Sequence, residues 1–573
     1  MPSRMLSKQQ FRSEAEECYR LYNKYSSVLA VELNRVHSTN YSSRYWETLL
    51  NRFLYPLTAA VIDKHEILID LRKRWPNSVI DIADIRSQWV SPHTVPSFGA
   101  SRLTHLLVYS VIAVTTKVFP YEVMPNDQLG EAMKIQGDGK KDLLSRKNLK
   151  VGNYRFVEIK RKFRWILLLI RALKRCELPF SLIKYLNPSV IALGDQYLRQ
   201  RDFASLMIRT KTLPFYFNSD GLGTLDFVPY DSDRRHGLKF PIAESPLEEA
   251  FQACIRRFLP TVFLENYDVA KEYVCKLLPK SPKFILNSQH HSGGEFVDFF
   301  IAHAVEDRGA KHMMVCHGGC YGAMEVSVQE RIWARFSDIY AMWSNPRTYG
   351  ADCKSIKLPS LRFHKSLGFR KVSNSGQKIL VMLTGHYPQR YAYNSIYPYT
   401  IDDEYDSWQI RFLSEIDRSY HSKIVIRDYH GSSDLSRGIV RMWADEHGIE
   451  VSAELSLWDA LRESKIAIQT VPQTTYLETI IANHPTLCFW NPEANLIRTD
   501  LMSYFEGLVT AGVLHRTPES AARKLNEVES DPVKWWNSPE VQSAVSAFRD
   551  NVCQTSRTAL AEWAEYISRQ KIQ

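Results

Sequence analysis

Three segments bring together residue types that could bind an anion and move a proton. In Val315-Cys316-His317-Gly318-Gly319-Cys320-Tyr321-Gly322, Gly318 and Gly319 would let backbone approach a ligand closely, and a following helix would aim N–H groups and partial positive charge at it. His317 could hydrogen-bond a phosphate or sugar hydroxyl, or act as general acid or base. Glu325 and Glu330, expected in the next helix, are candidate carboxylate bases. The competing reading is a glycine turn with a satisfied histidine and surface glutamates. Cys316, His317 and Cys320 could also offer metal ligands or a nucleophilic thiol, but Cys316 closes an apolar strand, where a buried inert thiol is the commoner case.

The second segment, Arg427-Asp428-Tyr429-His430, follows an apolar run. Arg427 and His430 at a strand's carboxyl end suit a diphosphate or a phosphate leaving group, although Arg427 paired with Asp428 would explain the same residues. In the third, Gln469 to Glu478, the hydroxyls of Thr474 and Thr475 either cap a helix or bind phosphate oxygens. Capping does not require Gln473, nor Glu478 one turn on, which could accept hydrogen bonds from ribose or sugar hydroxyls.

Residues at strand ends need a sheet behind them, and the pattern supplies one. From Lys283 apolar runs alternate with helical stretches: Phe284 to Leu286, a helix over Gly294 to Arg308, His312 to Cys316, a helix near Met324 to Arg335, and Ile339 to Trp343. The order resumes with strand Lys378 to Leu383, helix Trp408 to Tyr420, strand Ile424 to Ile426, helix Ser436 to His447, strand Ile466 to Gln469, helix Thr475 to Ala482 and strand Thr486 to Phe489. Such alternation predicts parallel sheets with right-handed crossovers, whose ligands sit beyond the carboxyl ends of the strands. The expected organisation is a mainly helical part of a first lobe over 1–240, its Rossmann-like core over 241–345 on the acceptor side, a linker over 346–375, a nucleotide-sugar lobe over 376–530, and a helical tail over 531–573. Ser245, Pro246 and Glu248 mark a helix start.

Composition limits the partners. The 573 residues carry 45% apolar and 24% charged residues, ordinary globular usage, and 73 Lys plus Arg against 63 Asp plus Glu give a net charge of +10. Much of the excess falls between Lys134 and Arg175, which reads either as a patch for anionic membrane, polyanionic glycan or nucleic acid, or as a solvated basic helix face. No nucleic-acid recognition module is evident, so specific nucleic-acid binding is not expected. The longest apolar stretches fall short of the roughly 18 to 20 residues that span a bilayer. Met1 to Tyr19 has no apolar signal-type core, so cytoplasmic residence is expected, with peripheral membrane attachment through 134–175. Nine cysteines without a C-x-x-C pair argue against a disulfide framework and a tetrahedral zinc site.

Tyr45-Trp46 with Leu49-Leu50, Pro260 to Tyr267, His317 to Gly322 followed by Glu325, Thr474 to Glu478, and Trp535-Trp536 with Gln542 and Phe548 resemble the leptospiral-type transferases associated with O-antigen synthesis, over roughly residues 45 to 565. The second lobe is similar, more distantly, to GT-B-type transferases of Kdo and sialic-acid-like sugars. The resemblance implies an α/β, GT-B-like fold of two Rossmann-like lobes with a helical N-terminal elaboration and C-terminal helices. It implies transfer of a CMP-linked sugar to a glycan or lipid-linked glycan of surface polysaccharide, with Arg427, His430, Thr474, Thr475 and Glu478 on the nucleotide. His317, Gly318, Gly319, Tyr321 and Glu325 would line the acceptor side, and Gln473 the donor side. No metal or other cofactor is expected, because fixed Arg, His and N–H donors can stabilise the charge. A non-catalytic glycan- or nucleotide-binding scaffold of an assembly complex is the alternative.

Overall fold

The computed structural model describes residues 6–83, 102–124, 178–179, 183–193, 200–210, 215–216, 225, 227–287, 294–316, 318–319, 321–350, 352–368, 376–384, 393, 402–427, 438–452 and 456–572. His317, Cys320, Asp428 to His430 and the basic stretch 134–175 lie outside them. The chain divides into two compact units, one of residues 18–195, 200–313 and 567–573, the other of residues 1–17, 196–199 and 314–566.

The first unit is built on long helices. α1 (Lys8–His37) contributes most of its length here, and α2 (Ser43–Arg74) starts at Ser42, whose Oγ accepts the Tyr45 N–H at 3.2 Å. Strand β1 (Ile80–Ala83), helix α3 (Arg102–Thr116) and strand β2 (Tyr121–Met124) form one β-α-β step, the strands pairing in parallel. β3 (Leu178–Pro179) likewise pairs with β5 (Phe215–Tyr216), and the fully buried β4 (Val190–Leu193) with β6 (Phe284–Asn287). Helix α4 (Pro246–Phe258) begins as its sequence predicts, with Ser245 Oγ accepting the Glu248 N–H at 3.2 Å. The Glu248 side chain departs from a capping box: it accepts from Glu244 N–H and from Lys24, whose nearby charge outweighs the loss of one backbone partner.

Helices α5 (Tyr267–Cys275) and α6 (Gly294–Glu306) complete an aromatic core. Tyr45 OH meets Tyr267 OH at 2.8 Å, and Trp46 packs 5.2 Å from the Tyr267 ring. Two short motifs far apart in sequence thus form one packing unit. Beneath them Arg52 pairs with Asp298 at 2.7 Å, and burial pushes the Asp298 carboxyl up to about 7 against the pull of Arg52.

The second unit takes over within β7 (Lys311–Val315). There α7 (Val328–Arg335) is capped by Ser327, so Glu325 precedes the helix rather than lying in it. β8 (Ile339–Met342) pairs in parallel with β9 (Lys354–Lys357). β9 falls inside the stretch 346–375 read as a linker; its Lys-Ser-Ile-Lys sequence has no apolar run to announce a strand.

The described residues then form a six-stranded parallel sheet of β10 (Lys378–Met382), β11 (Ile424–Arg427), β12 (Glu450–Ser452), β13 (Ser464–Gln469), β14 (Thr486–Phe489) and β15 (Leu514–His515). Its spatial order is β12-β11-β10-β13-β14-β15, the doubly wound 3-2-1-4-5-6 arrangement. Ile379, Val381, Ile424, Ile426, Ile466, Ile468, Leu487 and Phe489 are buried within it, the near-continuous apolar strands that a sheet covered on both faces requires. Helices α8 (Asp402–Glu415), α9 (Gly438–Glu446), α10 (Leu457–Glu463), α11 (Thr474–Ile481), α12 (Met502–Thr510) and α13 (Pro518–Val528) make the crossovers and cover, and α14 (Pro539–Val552) follows in the tail.

The tail seats on the end of α11. Asn483, in the left-handed region at φ +54°, accepts on one Oδ1 from Trp536 Nε1 (3.0 Å), Gln542 Nε2 (3.3 Å) and Arg549 (2.9 Å), while Arg549 Nε donates to the Ile480 carbonyl at 3.0 Å. A cation on the last turn's carbonyls both satisfies them and suits the helix dipole. Asn483→Ala, which loses these bonds and keeps a side chain at positive φ, should lower unfolding stability by about 2–3 kcal/mol in chemical denaturation, and Asn483→Gly by less. Equal losses would show that the backbone conformation contributes nothing.

Candidate functional site

The winding of the six-stranded sheet reverses between β10 and β13, the kind of point beyond whose strand ends doubly wound sheets bind ligands. The side chains gathered there are polar and hydrogen-bonded. Thr470 Oγ1 donates to the Met382 carbonyl at 2.8 Å and meets Tyr405 OH at 2.6 Å, and that hydroxyl accepts the Thr384 N–H at 3.1 Å. Below it Thr475 Oγ1 donates to Gln469 Oε1 at 3.0 Å, and Gln469 Nε2 donates to Thr479 Oγ1 at 3.3 Å. Thr475 is therefore spent on fixing the helix to its strand.

Helix α11 leaves this switch point with Gln473 as N-cap, and no side chain among the described residues caps it. The Gln473 Nε2 is buried without a hydrogen-bond partner among them. An uncapped first turn is a ready anion site. Behind it stands a charged cluster: Glu478, 5% exposed at its side chain, lies 3.7 Å from Arg362 Nε and acts electrostatically on Arg427 at the end of β11. Burial pulls the Arg427 guanidinium below its ordinary range, and the Glu478 charge opposes that pull.

The glycine turn reaches the same place. Gly319 N–H donates to Thr474 Oγ1 at 3.2 Å, and a Cβ on Gly319 would stand 2.4 Å from the Gln473 carbonyl carbon and from Thr474 N. Gly318, Gly319, Gln473 and Thr474, predicted separately, are thus adjacent, but the backbone that Gly319 lets approach is the protein's own. Thr474 Oγ1 is an acceptor there rather than a helix cap.

Gly322, at φ +83°, is locked from every side. Its N–H donates to Glu330 Oε1 at 2.7 Å, and its carbonyl accepts from Arg498 (2.6 Å) and Ser344 Oγ (2.9 Å). Tyr340 and Tyr349 hydroxyls also reach Glu330 Oε1, each at 3.0 Å. Burial pushes the Glu330 carboxyl up, against the hydrogen bonds of both tyrosines. Glu330 therefore anchors the turn and presents no base to it. Tyr321 OH donates to Gln329 Oε1 at 2.8 Å, and Cys316 Sγ donates to the Tyr321 carbonyl at 3.3 Å, the contact of a structural thiol. Glu325 pairs with Arg12, 2.8 Å from its Nε. Sequence reading missed Arg498, Arg362 and Tyr405; each sits in or beside a loop or on a polar helix face, where no periodicity marks it.

The doubly wound sheet, its switch point and the helix that starts there without a side-chain cap define an α/β protein. The model of the LIC12162 family transferase matches residues 1–567. The chain belongs to that family and is a transferase. A search of curated proteins gives no match. Among solved structures, similarity is found to a UDP-forming α,α-trehalose-phosphate synthase from Burkholderia xenovorans (8% identity, 67% of this chain and 99% of that one, TM-score 0.36) and another from Burkholderia vietnamiensis (10%, 67% and 99%, 0.36). Acinetobacter baumannii MurG is also similar (9%, 67% and 100%, 0.34). Similarity this low says nothing of substrate. Among the described residues no helix is long and apolar enough to cross a membrane.

Proposed function

We propose that the group transferred is a glycosyl unit, taken from a nucleotide-activated donor held at the β10/β13 switch point. The observation that carries this reading is the uncapped start of α11 beside Arg427 and the buried Glu478. The donor's phosphates would lie on the α11 N–H groups and Arg427, with His430 beside the departing phosphate and Glu478 toward the ribose. The acceptor hydroxyl would approach the 317–322 turn, where His317 or Glu325 takes its proton. The chemistry needs no divalent metal, since these fixed donors supply the charge stabilisation. The finer part of the proposal is a CMP-linked Kdo or nonulosonate-type donor and a glycan or lipid-linked acceptor of surface polysaccharide. It rests on the sequence resemblance.

Thermal-shift and calorimetric titration with CMP, UDP and GDP tests the donor side. One nucleotide should stabilise the protein specifically, and Arg427→Ala should weaken its binding about 10- to 100-fold, the equivalent of losing about 1.5–3 kcal/mol of charge-assisted hydrogen bonding. Stabilisation by none of the three, or unchanged affinity in Arg427→Ala, removes the assignment. On the acceptor side His317→Ala and Glu325→Ala should abolish CMP release from CMP-Kdo while nucleotide binding persists; full turnover in either variant clears that residue of a role. Peripheral attachment through 134–175 belongs to the same proposal, and co-sedimentation with anionic vesicles should fall when those basic residues are neutralised.

A second reading has one observation of its own. Because Gly319 packs directly on Gln473 and Thr474, the two turns leave no space at their point of contact, as a scaffold that keeps only the loops would have it. Nucleotide-specific stabilisation decides against the scaffold.

A further inference from the structure

In the first unit, away from the residues just described, α5 ends at Cys275 and α6 carries His303, with Asp307 one turn further on. One ligand atom from each of Cys275, His303 and Asp307 lies within 4.8 Å of the others. His303 is buried and held from both sides. Tyr45 OH lies 2.9 Å from its Nε2, and Asp307 Oδ2 lies 2.8 Å from its Nδ1. Tyr45 is fixed in turn by Tyr267 at 2.8 Å and by stacking on Tyr41 at 4.1 Å. Cys275 is half-buried and Asp307 has 32% of its side chain exposed, so the cluster opens to solvent on the carboxylate side.

We propose that Cys275, His303 and Asp307 bind a zinc ion. Thiolate, imidazole and carboxylate are together the donors that zinc takes, and a water would complete a tetrahedron. The Tyr45 hydroxyl plays the part of an outer partner, orienting the imidazole through its other nitrogen. Bond lengths of about 2.0–2.3 Å put tetrahedral ligand atoms roughly 3.3–3.8 Å apart, so the widest separations in the cluster must close by up to about 1 Å, while Asp307 Oδ2, 2.8 Å from His303 Nδ1, must draw back by about 0.5 Å or more. Cys275 and Asp307 sit at helix ends with solvent on one side, where side-chain rotation suffices. On binding, the Cys275 Sγ–H proton leaves to solvent and the sulfur's electron pair goes to zinc. Lys271, its ammonium 4.9 Å over the Tyr41 ring, opposes the ion's charge, and the thiolate and carboxylate more than offset it. Such an ion would pin α5 to α6 and takes no part in the transfer chemistry.

The test uses the full chain, stripped with a chelator and titrated separately with Zn²⁺ and Co²⁺. The wild type should bind one equivalent, rise in melting temperature with zinc, and show a thiolate-to-cobalt charge-transfer band. Cys275→Ala should lose the band and at least ~100-fold in zinc affinity, and Asp307→Asn about tenfold, with circular dichroism unchanged. No bound zinc in the wild type, or equal zinc affinity and an unaltered cobalt band in Cys275→Ala, overturns the site. Neither result bears on nucleotide binding, so the site stands or falls apart from the glycosyl-transfer reading.

Discussion

Replacing Gly319 by alanine should cost at least a tenfold loss of nucleotide affinity and about 1–3 kcal/mol of stability. The new Cβ would stand 2.4 Å from the Gln473 carbonyl carbon and oxygen and from Thr474 N, all backbone atoms that cannot swing aside. Relief requires the turn to retreat from α11 by about 0.6 Å or more, which breaks the Gly319 to Thr474 hydrogen bond and displaces the first turn of the helix that would hold the donor's phosphates. Two controls isolate the cause. In Gly318→Ala the contact is the flexible edge of the Tyr321 ring at 3.0 Å, and in Gly507→Ala, inside α12, nothing lies within 4 Å, so helix propensity should raise stability by up to about 1 kcal/mol. Calorimetric titration and denaturant unfolding of the three variants make the comparison. Wild-type affinity and stability in Gly319→Ala would mean that the turn and the helix are mechanically independent.

The largest loss of stability should follow Arg235→Ala, at about 3–5 kcal/mol. Arg235 and Glu265 are each 1% exposed at the side chain and pair in bidentate fashion at 2.6 and 2.8 Å. Arg235 also donates to the Arg256 carbonyl and lies 4.4 Å over the Tyr230 ring. Truncation leaves a buried carboxylate with the Asp231 N–H at 3.1 Å in place of a matched cation, and the charge, more than the lost packing, sets the cost. Urea unfolding followed in the first unit reads it directly. A loss below about 1 kcal/mol would mean that water reaches Glu265 in the variant.

The regular skeleton was legible because its strands are buried on both faces. Ile424 to Ile426 and Leu487 to Phe489 are uninterrupted apolar runs, and each falls within a residue of its place in the sheet. β4 (Val-Ile-Ala-Leu) is such a run too, but it lies in the stretch 1–240 read as mainly helical, where a short apolar run does not tell strand from helix; the strands missed in the second unit carry no such run. β12 is Glu-Val-Ser at an edge, β15 is two residues long, and β9 alternates lysine with serine and isoleucine; pairing with a neighbour, which one segment cannot announce, makes each of them a strand. The candidate site divides the same way. Its glycines and threonines advertise close approach and helix starts, but not that Gly319 approaches Thr474 across 155 residues, nor that Arg498 clamps Gly322 across 176. The motifs that carried the family resemblance were legible as motifs, while their work was hidden: Tyr45-Trp46 and the segment ending at Tyr267 pack on each other, and Trp536 with Gln542 secures Asn483.

That last attachment bears on how the chain matures on the ribosome. The carbonyl end of α11 is completed by Arg549, 69 residues downstream of Ile480. A nascent chain that has just emerged past β14 holds every strand of the β10 to β14 ladder yet leaves α11 with a bare end, so that helix should remain frayed until Arg549 has emerged. Ribosome-stalled chains ending before Trp535 should therefore stay protease-sensitive at α11, and emergence of the segment through Arg549 should protect it.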